Sequence, residues 1–174
     1  MHTIKFKKLV RKYKDLIYSQ AFYSTGNSHD ASDITQEVLI KLWNNMDNIR
    51  LQTVKSWLLT VTRNSCIDMD RKKREKYFSE LYFEHDDEAV KQITDDSETD
   101  PEKSLDQYQK QQRIISAIAG LPENIRTSMF LRYIHDETYD MIAKTLEVPI
   151  NSIKVYLHRG RKLLVQKLKE TIED

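Results

Sequence analysis

The 174-residue chain holds three glycines, three prolines and a single cysteine, and its apolar runs stay short. None approaches the ~18 apolar residues that a membrane-spanning helix requires. Ile4 to Tyr18 interleaves apolar residues with Lys, Arg and Asp, so the apolar stretch of a signal peptide is lacking. Cys66 alone excludes an internal disulfide framework and suits a reducing compartment; its surroundings favour a small core side chain over a nucleophile. A soluble cytoplasmic protein without membrane insertion is expected. Three scattered glycines form no phosphate-cradling loop, no His-Glu-x-x-His pattern occurs, and the five histidines do not pair with Ser or Cys in a recognisable arrangement. The chain is therefore expected to have no catalytic residue, cofactor, metal site or small-molecule substrate.

What is present is helical periodicity. Scarce glycine and proline with long 3.6-residue patterns predict an all-α chain. Phe6, Leu9, Val10, Tyr13, Leu16, Ile17 and Ala21 form one stripe ending before Ser24. A second helix is predicted from about Ala31 to Met46, with Asp30 as its cap and Ile34, Val38, Leu39, Leu42, Trp43 and Met46 apolar. A third runs from about Val54 to Lys76 with Trp57, Leu58 and Val61 inward, and ends in Arg-Lys-Lys-Arg-Glu-Lys. Both tryptophans are assigned to packing.

Beyond Phe83 the composition shifts. Glu84 to Asp106 carries ten carboxylates against Lys91 and Lys103, and Glu84 to Asp100 reads as a solvated linker. Its Glu-His-Asp-Asp-Glu run lacks the second ligand cluster a metal would need. Pro101 suits a first helical position capped by Asp100, and Ile114, Ile115, Ile118 and Leu121 face inward on the helix that follows. Gly120-Leu121-Pro122 breaks that helix. Another follows from Glu123 to Ile134, then a turn at His135 and Asp136, then a helix from Tyr139 to Leu146 with Thr138 as N-cap, then one from Ile150 to about Thr171. Two helical units joined by an acidic tether result.

Charge is segregated even though the net charge is +1: Asn151 to Leu168 contains no carboxylate. Ile142, Ala143 and Leu146 on a short helix, a tight turn over Glu147 to Ile150 and a longer basic helix have the proportions of a helix-turn-helix. Lys154, His158, Arg161 and Lys162 fall on a face away from Ile153, Leu157 and Leu164. Cations there release counterions from DNA phosphates, and Arg forks read guanine edges. A basic helix alone is as often a solvated face; the missing carboxylates favour DNA.

At this point the chain resembles a family. Ala31 to Trp43 (ASDITQEVLIKLW), Ser56 to Glu75 (SWLLTVTRNSCIDMDRKKRE), Leu121 to Leu146 and Val148 to Leu164 are similar to successive signatures of the extracytoplasmic-function sigma factors of bacterial RNA polymerase. The resemblance implies two small helical domains, a sigma region 2 bundle over residues 1–80 and a region 4 helix-turn-helix over 105–174, joined by a flexible acidic linker over 81–104. It implies a non-enzymatic factor that binds core polymerase, recognises −35 and −10 promoter elements and directs initiation.

Roles follow from the resemblance residue by residue. Asp33, Gln36 and Glu37 match the face that docks on the beta-prime clamp helices, and two acids with an amide are able to pair with a partner's Arg. Region 4 is implied to meet the beta flap. Asn48 and Gln52 match the loop that captures a flipped −10 base, while Lys55, Arg63, Arg71, Lys72 and Arg74 supply cations for the single strand. Lys154, Val155, His158 and Arg159 match the −35 reading positions, with Arg161 and Lys162 on phosphate. An anti-sigma factor is implied, as is closure of the free halves on each other. The linker is implied to thread near the polymerase active-site and RNA-exit channel.

Several residues depart from the family pattern. Glu147 stands where a turn glycine is usual, so a left-handed conformation there costs about 1–2 kcal/mol. Asn151 replaces another glycine and is expected to cap the last helix. Val155 and Tyr156 replace small polar and basic residues, which alters the promoter sequence read, and Gly160 costs its helix about 1 kcal/mol relative to Ala. The competing classes are a standalone helix-turn-helix regulator, which needs an effector pocket or phosphoacceptor domain not seen in the N-terminal half, and a protein whose basic helix binds an acidic partner.

Overall fold

A computed structural model describes residues 2–81 and 113–173. Among the described residues there are seven helices and no strand: α1 (His2–Thr25), α2 (Ser28–Asn44), α3 (Val54–Leu81), α4 (described over 113–119), α5 (Glu123–Tyr133), α6 (Tyr139–Leu146) and α7 (Ile150–Glu173). The acidic tether and its Asp100-Pro101 cap lie outside them. No described helix is long and apolar enough to cross a membrane.

The first three helices pack on one another because each carries an apolar stripe at helical spacing. Leu9, Tyr13, Leu16, Ile17 and Ala21 of α1 meet Ala31, Ile34, Val38 and Leu42 of α2 and Val54, Leu58 and Leu59 of α3, all buried. The one buried amide among the described residues, Gln20, is tied down by donating from Nε2 to the Leu59 carbonyl at 3.1 Å. Gly26, at φ +67°, ends α1 with its N–H on the Phe22 carbonyl at 2.7 Å. The cap of α2 differs from expectation. Asn27 caps it, its Oδ1 accepting the Asp30 N–H at 3.0 Å; Asp30 falls within the first turn, where its carboxylate favours the helix dipole and pairs with Lys73. Trp43 is also placed differently: 45% exposed, it stands edge-on to Phe6 with ring centroids 5.0 Å apart, because its position lies at the margin of the stripe. Trp57 is half-buried against the core.

The second half repeats the logic. Ile115, Ile118 and Leu121 are buried as expected, whereas Ile114 turns outward. Thr138 caps α6, its hydroxyl accepting the Met141 N–H at 3.2 Å. Glu147 takes the left-handed conformation, φ 55° and ψ 42°. Its N–H reaches the Lys144 carbonyl at 3.4 Å, and the Val148 N–H reaches Ala143 at 3.1 Å. That is the Schellman pair of bonds closing α6. Asn151 does not cap α7; it lies inside the first turn of a helix that starts at Ile150, with the Ser152 N–H on the Pro149 carbonyl at 2.9 Å.

Gly160 explains itself through the crossing of α5 and α7. A Cβ there would lie 2.7 Å from the Met129 side chain and 2.9 Å from Ile125 Cγ2. Substitution gains helix propensity and loses close packing, and overpacking costs about 1–3 kcal/mol. The halves also join: α5 packs on α1 and α6 on α3, with Tyr23 and Phe130 ring centroids 5.2 Å apart.

Two stability outcomes are expected. Gly160→Val lowers the thermal midpoint by wedging α5 from α7, by about 1–3 kcal/mol in unfolding free energy. Glu147→Gly raises it, by at most about 1 kcal/mol, because relief of left-handed strain exceeds the entropy glycine adds to the unfolded chain. Paired thermal and urea melts distinguish both from wild type.

Candidate nucleic-acid interface

The outer face of α7 is free of its own fold. Ile153, Leu157 and Gly160 face inward, and Lys154, Val155, His158, Arg159, Arg161 and Lys162 are exposed on the other side. One partner was not legible in the sequence: Arg161 Nη1 donates to the Tyr133 hydroxyl at 2.6 Å. Tyr133, at the end of α5 and 52% exposed, thereby fixes the direction of a guanidinium that would otherwise sweep through solvent.

On α2, Asp33, Gln36 and Glu37 share one exposed face, which Ile40 extends. Glu37 pairs with Lys41 at 2.5 Å and accepts from Ser65 Oγ at 3.2 Å. The Lys41 hydrogen bond, only partly offset by burial, holds its carboxyl below the usual range. Glu37 therefore stays ionised at physiological pH.

The residues assigned to the single strand divide into two groups. Asn48 and Gln52 are exposed between α2 and α3, and Arg71, Lys72 and Arg74 are exposed along α3. Arg71 leans on Asp68 at 3.3 Å and Arg74 on Asp70 at 2.6 Å. Such exposed pairs are worth about 0–1 kcal/mol, so an arriving phosphate displaces them easily. Lys55 and Arg63 instead face the second half of the molecule. Arg63 is forked by Glu123, Nε to Oε1 at 2.6 Å and Nη2 to Oε2 at 3.1 Å, and Nη2 also reaches Asn124 Oδ1 at 3.1 Å. Lys55 pairs with Glu137, whose side chain is only 8% exposed. The structure thus sets two acidic side chains, which periodicity gave no reason to single out, on two of the cations assigned to DNA.

A third contact crosses the same junction: Ser19 Oγ and His135 Nε2 lie 2.9 Å apart. A cleft of about 670 Å³ also runs between the halves, lined by Cys66, Asp70, Lys73, Arg74, Gly120 and Arg126 among others. Arg126 Nη1 donates to the Ala119 carbonyl at 2.7 Å. Burial pushes the Cys66 thiol up to about 11, which agrees with its reading as a core side chain. No group of three metal-ligating side chains occurs among the described residues; the Glu84 to Glu88 run lies outside them.

Desolvation lowers the His135 pKa, and nearby Lys55 lowers it further against the opposing pull of Glu137. Closure therefore favours the neutral ring. Its contribution is complete above the ordinary value of 6.5 and is lost as pH falls from there toward the depressed value. Energy transfer between dyes at positions 29 and 158 is expected to fall between pH 7 and 5.5, and His135→Gln is expected to flatten that dependence.

Comparison with known proteins fits this geometry. The sigma-70 region 2 family matches residues 9–76 and the sigma-70 region 4 family residues 111–164. The chain is 31% identical over 168 residues to the ECF RNA polymerase sigma factor SigW of Bacillus subtilis, covering 95% of this chain and 89% of SigW. It is 29% identical over 157 residues to SigE of Mycolicibacterium smegmatis, 90% of this chain and 59% of that protein. The fold is similar to that of the sigma factor RpoE in its complex with the anti-sigma factor NepR from Bartonella quintana, with a TM-score of 0.75 at 24% identity over 95% of this chain and 97% of RpoE. With both sigma regions matched in order and one relative alike over almost its whole length, the chain belongs to the extracytoplasmic-function sigma factors, non-catalytic subunits that direct RNA polymerase to promoters.

Proposed function

We propose that residues 1–80 engage core polymerase and the −10 element, that residues 105–174 engage the −35 element, and that 81–104 tether them in the cytoplasm. The observation that carries this reading is the exposed, carboxylate-free face of α7 on a helix-turn-helix frame. Lys154, Val155, His158 and Arg159 face the major groove, and Arg161 and Lys162 meet flanking phosphates, with one −35 contact pre-aimed by Tyr133. Asp33, Gln36 and Glu37 dock on the beta-prime clamp helices, supported by their common exposed face and by the ionised state of Glu37. Region 4 takes the beta flap.

Asn48 and Gln52 receive the extruded base, and Lys55, Arg63, Arg71, Lys72 and Arg74 follow the single strand. For Lys55 and Arg63 this role requires release from Glu137 and Glu123. The packed arrangement is then a resting state in which region 4 carboxylates stand where phosphates will bind. An anti-sigma factor that holds the halves together acts in the same direction; the structural neighbour RpoE is found with one.

Run-off transcription with purified core polymerase on a promoter library tests the reading. Transcripts are expected only with this protein and are expected to share upstream elements; DNA binding that never redirects polymerase would instead support the standalone regulator. Arg159→Ala is expected to cost about 1–3 kcal/mol of −35 discrimination. Glu123→Gln with Glu137→Gln is expected to weaken closure by about 1–2 kcal/mol. At limiting core polymerase it should raise transcript yield several-fold, and an unchanged yield would remove the resting-state role.

A further inference from the structure

We propose that the outer face of α1 is an additional, sequence-independent DNA-binding surface that holds the phosphate backbone of promoter duplex. Lys5, Lys7, Lys8, Arg11, Lys12 and Lys14 lie within ten residues of α1, in a chain whose net charge is only +1. At 100° per residue they sweep one continuous half of the helix, interrupted by the single carboxylate of Asp15. Five of the six are exposed, and Lys5 is half-buried. Elsewhere seven cations, Lys41, Lys55, Arg63, Arg71, Lys73, Arg74 and Arg132, each meet a carboxylate, whereas the α7 face assigned to DNA keeps Lys154, Arg159 and Lys162 exposed as α1 does. Among the described residues the six of α1 meet none; Lys12 only stands over the Tyr13 ring at 5.1 Å.

Six solvated like charges on one face cost the fold little, and together they attract a surface of opposite charge. Three kinds of surface carry that charge. An anionic membrane would also need an apolar face to insert, and the apolar side of α1 is spent on the protein's own core through Leu9, Tyr13, Leu16, Ile17 and Ala21. A protein partner would need apolar or aromatic anchors, and the face offers only Ile4 at its edge. A polyanion needs cations alone. From Lys5 to Lys14 the helix rises about 14 Å, a length over which duplex DNA presents about eight phosphates. Because the promoter is already bound through other surfaces, α1 meets DNA at high local concentration, where weak individual contacts suffice.

The proposal rests on the promoter role, and the test separates the two. Holoenzyme is assembled from core polymerase with wild-type protein or with the Lys7→Gln, Lys8→Gln, Arg11→Gln, Lys12→Gln variant, and the lifetime of the promoter complex is followed against salt. The variant is expected to keep the same start site, to lose about three from the slope of log lifetime against log salt, and to dissociate about tenfold faster at 0.2 M salt. A charge-preserving control, with each of these lysines made Arg and Arg11 made Lys, is expected to match wild type. A photo-cross-linker at position 8 should mark DNA. A wild-type complex whose salt slope is unchanged in the variant would overturn the α1 contact alone, as would cross-links confined to polymerase subunits or loss of binding to anionic vesicles in place of DNA. Failure of the wild-type holoenzyme to form any promoter complex would overturn the promoter role and this contact with it.

Discussion

Burial of one side of α1 is the interaction on which the other surfaces depend. Its stripe supplies a wall for α2 and α3, and its last turns meet α5 through Tyr23 and Phe130, so a single helix touches both halves of the molecule. Stripe residues at the i, i+4, i+7 and i+8 positions leave the opposite half of the helix no apolar work, and basic residues there cost the fold little. The same division governs α7. Ile153, Leu157 and the bare Gly160 backbone let it sink onto α5, and close seating in turn presents the basic residues as a rigid row.

The junction between the halves is electrostatic at its rim and apolar beneath. Apolar contacts are indifferent to what approaches, but the Arg63 fork and the Lys55 pair are not: each cation has a carboxylate in the packed form and, in the proposed function, a phosphate after release. Part-buried pairs of this kind exchange one anion for another at small net cost, since the cation is desolvated in both states. In the proposed function, closure is thereby reversible by the ligand it excludes. Salt, by contrast, screens these pairs without replacing them, so the rim of the junction loosens as ionic strength rises.

Much of the fold was legible because the stripes are long and strongly periodic. Helix identities and the Thr138 cap follow from residue types whose local chemistry leaves few alternatives, whereas the left-handed turn at Glu147 was legible only through the family pattern, since glutamate itself disfavours it. The misses have physical causes. Asn27 caps in place of Asp30 because α2 starts at Ser28, three residues before the stripe suggested, which leaves Asp30 inside the first turn. Trp43 and Ile114 sit at stripe margins, where helical spacing cannot separate half-buried from open. Asn151 was displaced from its capping role by Pro149, whose carbonyl takes the first bond of α7. The basic face of α7 came from charge pattern and the acidic face of α2 from the family resemblance; the fates of Lys55 and Arg63 came from neither. Their partners lie some sixty to eighty positions away, and only tertiary packing brings them together.

Cys66 gives the molecule an internal clock. As the chain's one thiol, it is buried beside the cleft where Arg126 and Glu123 of the second half contribute to its electrostatic surroundings. In the closed form it is largely buried and almost wholly protonated, two separate reasons for a thiol reagent to react with it slowly. Separation of the halves removes one wall of that cleft. The rate at which the native protein takes up a single label thus becomes a count of openings, read without engineered probes and free of signal from any second cysteine.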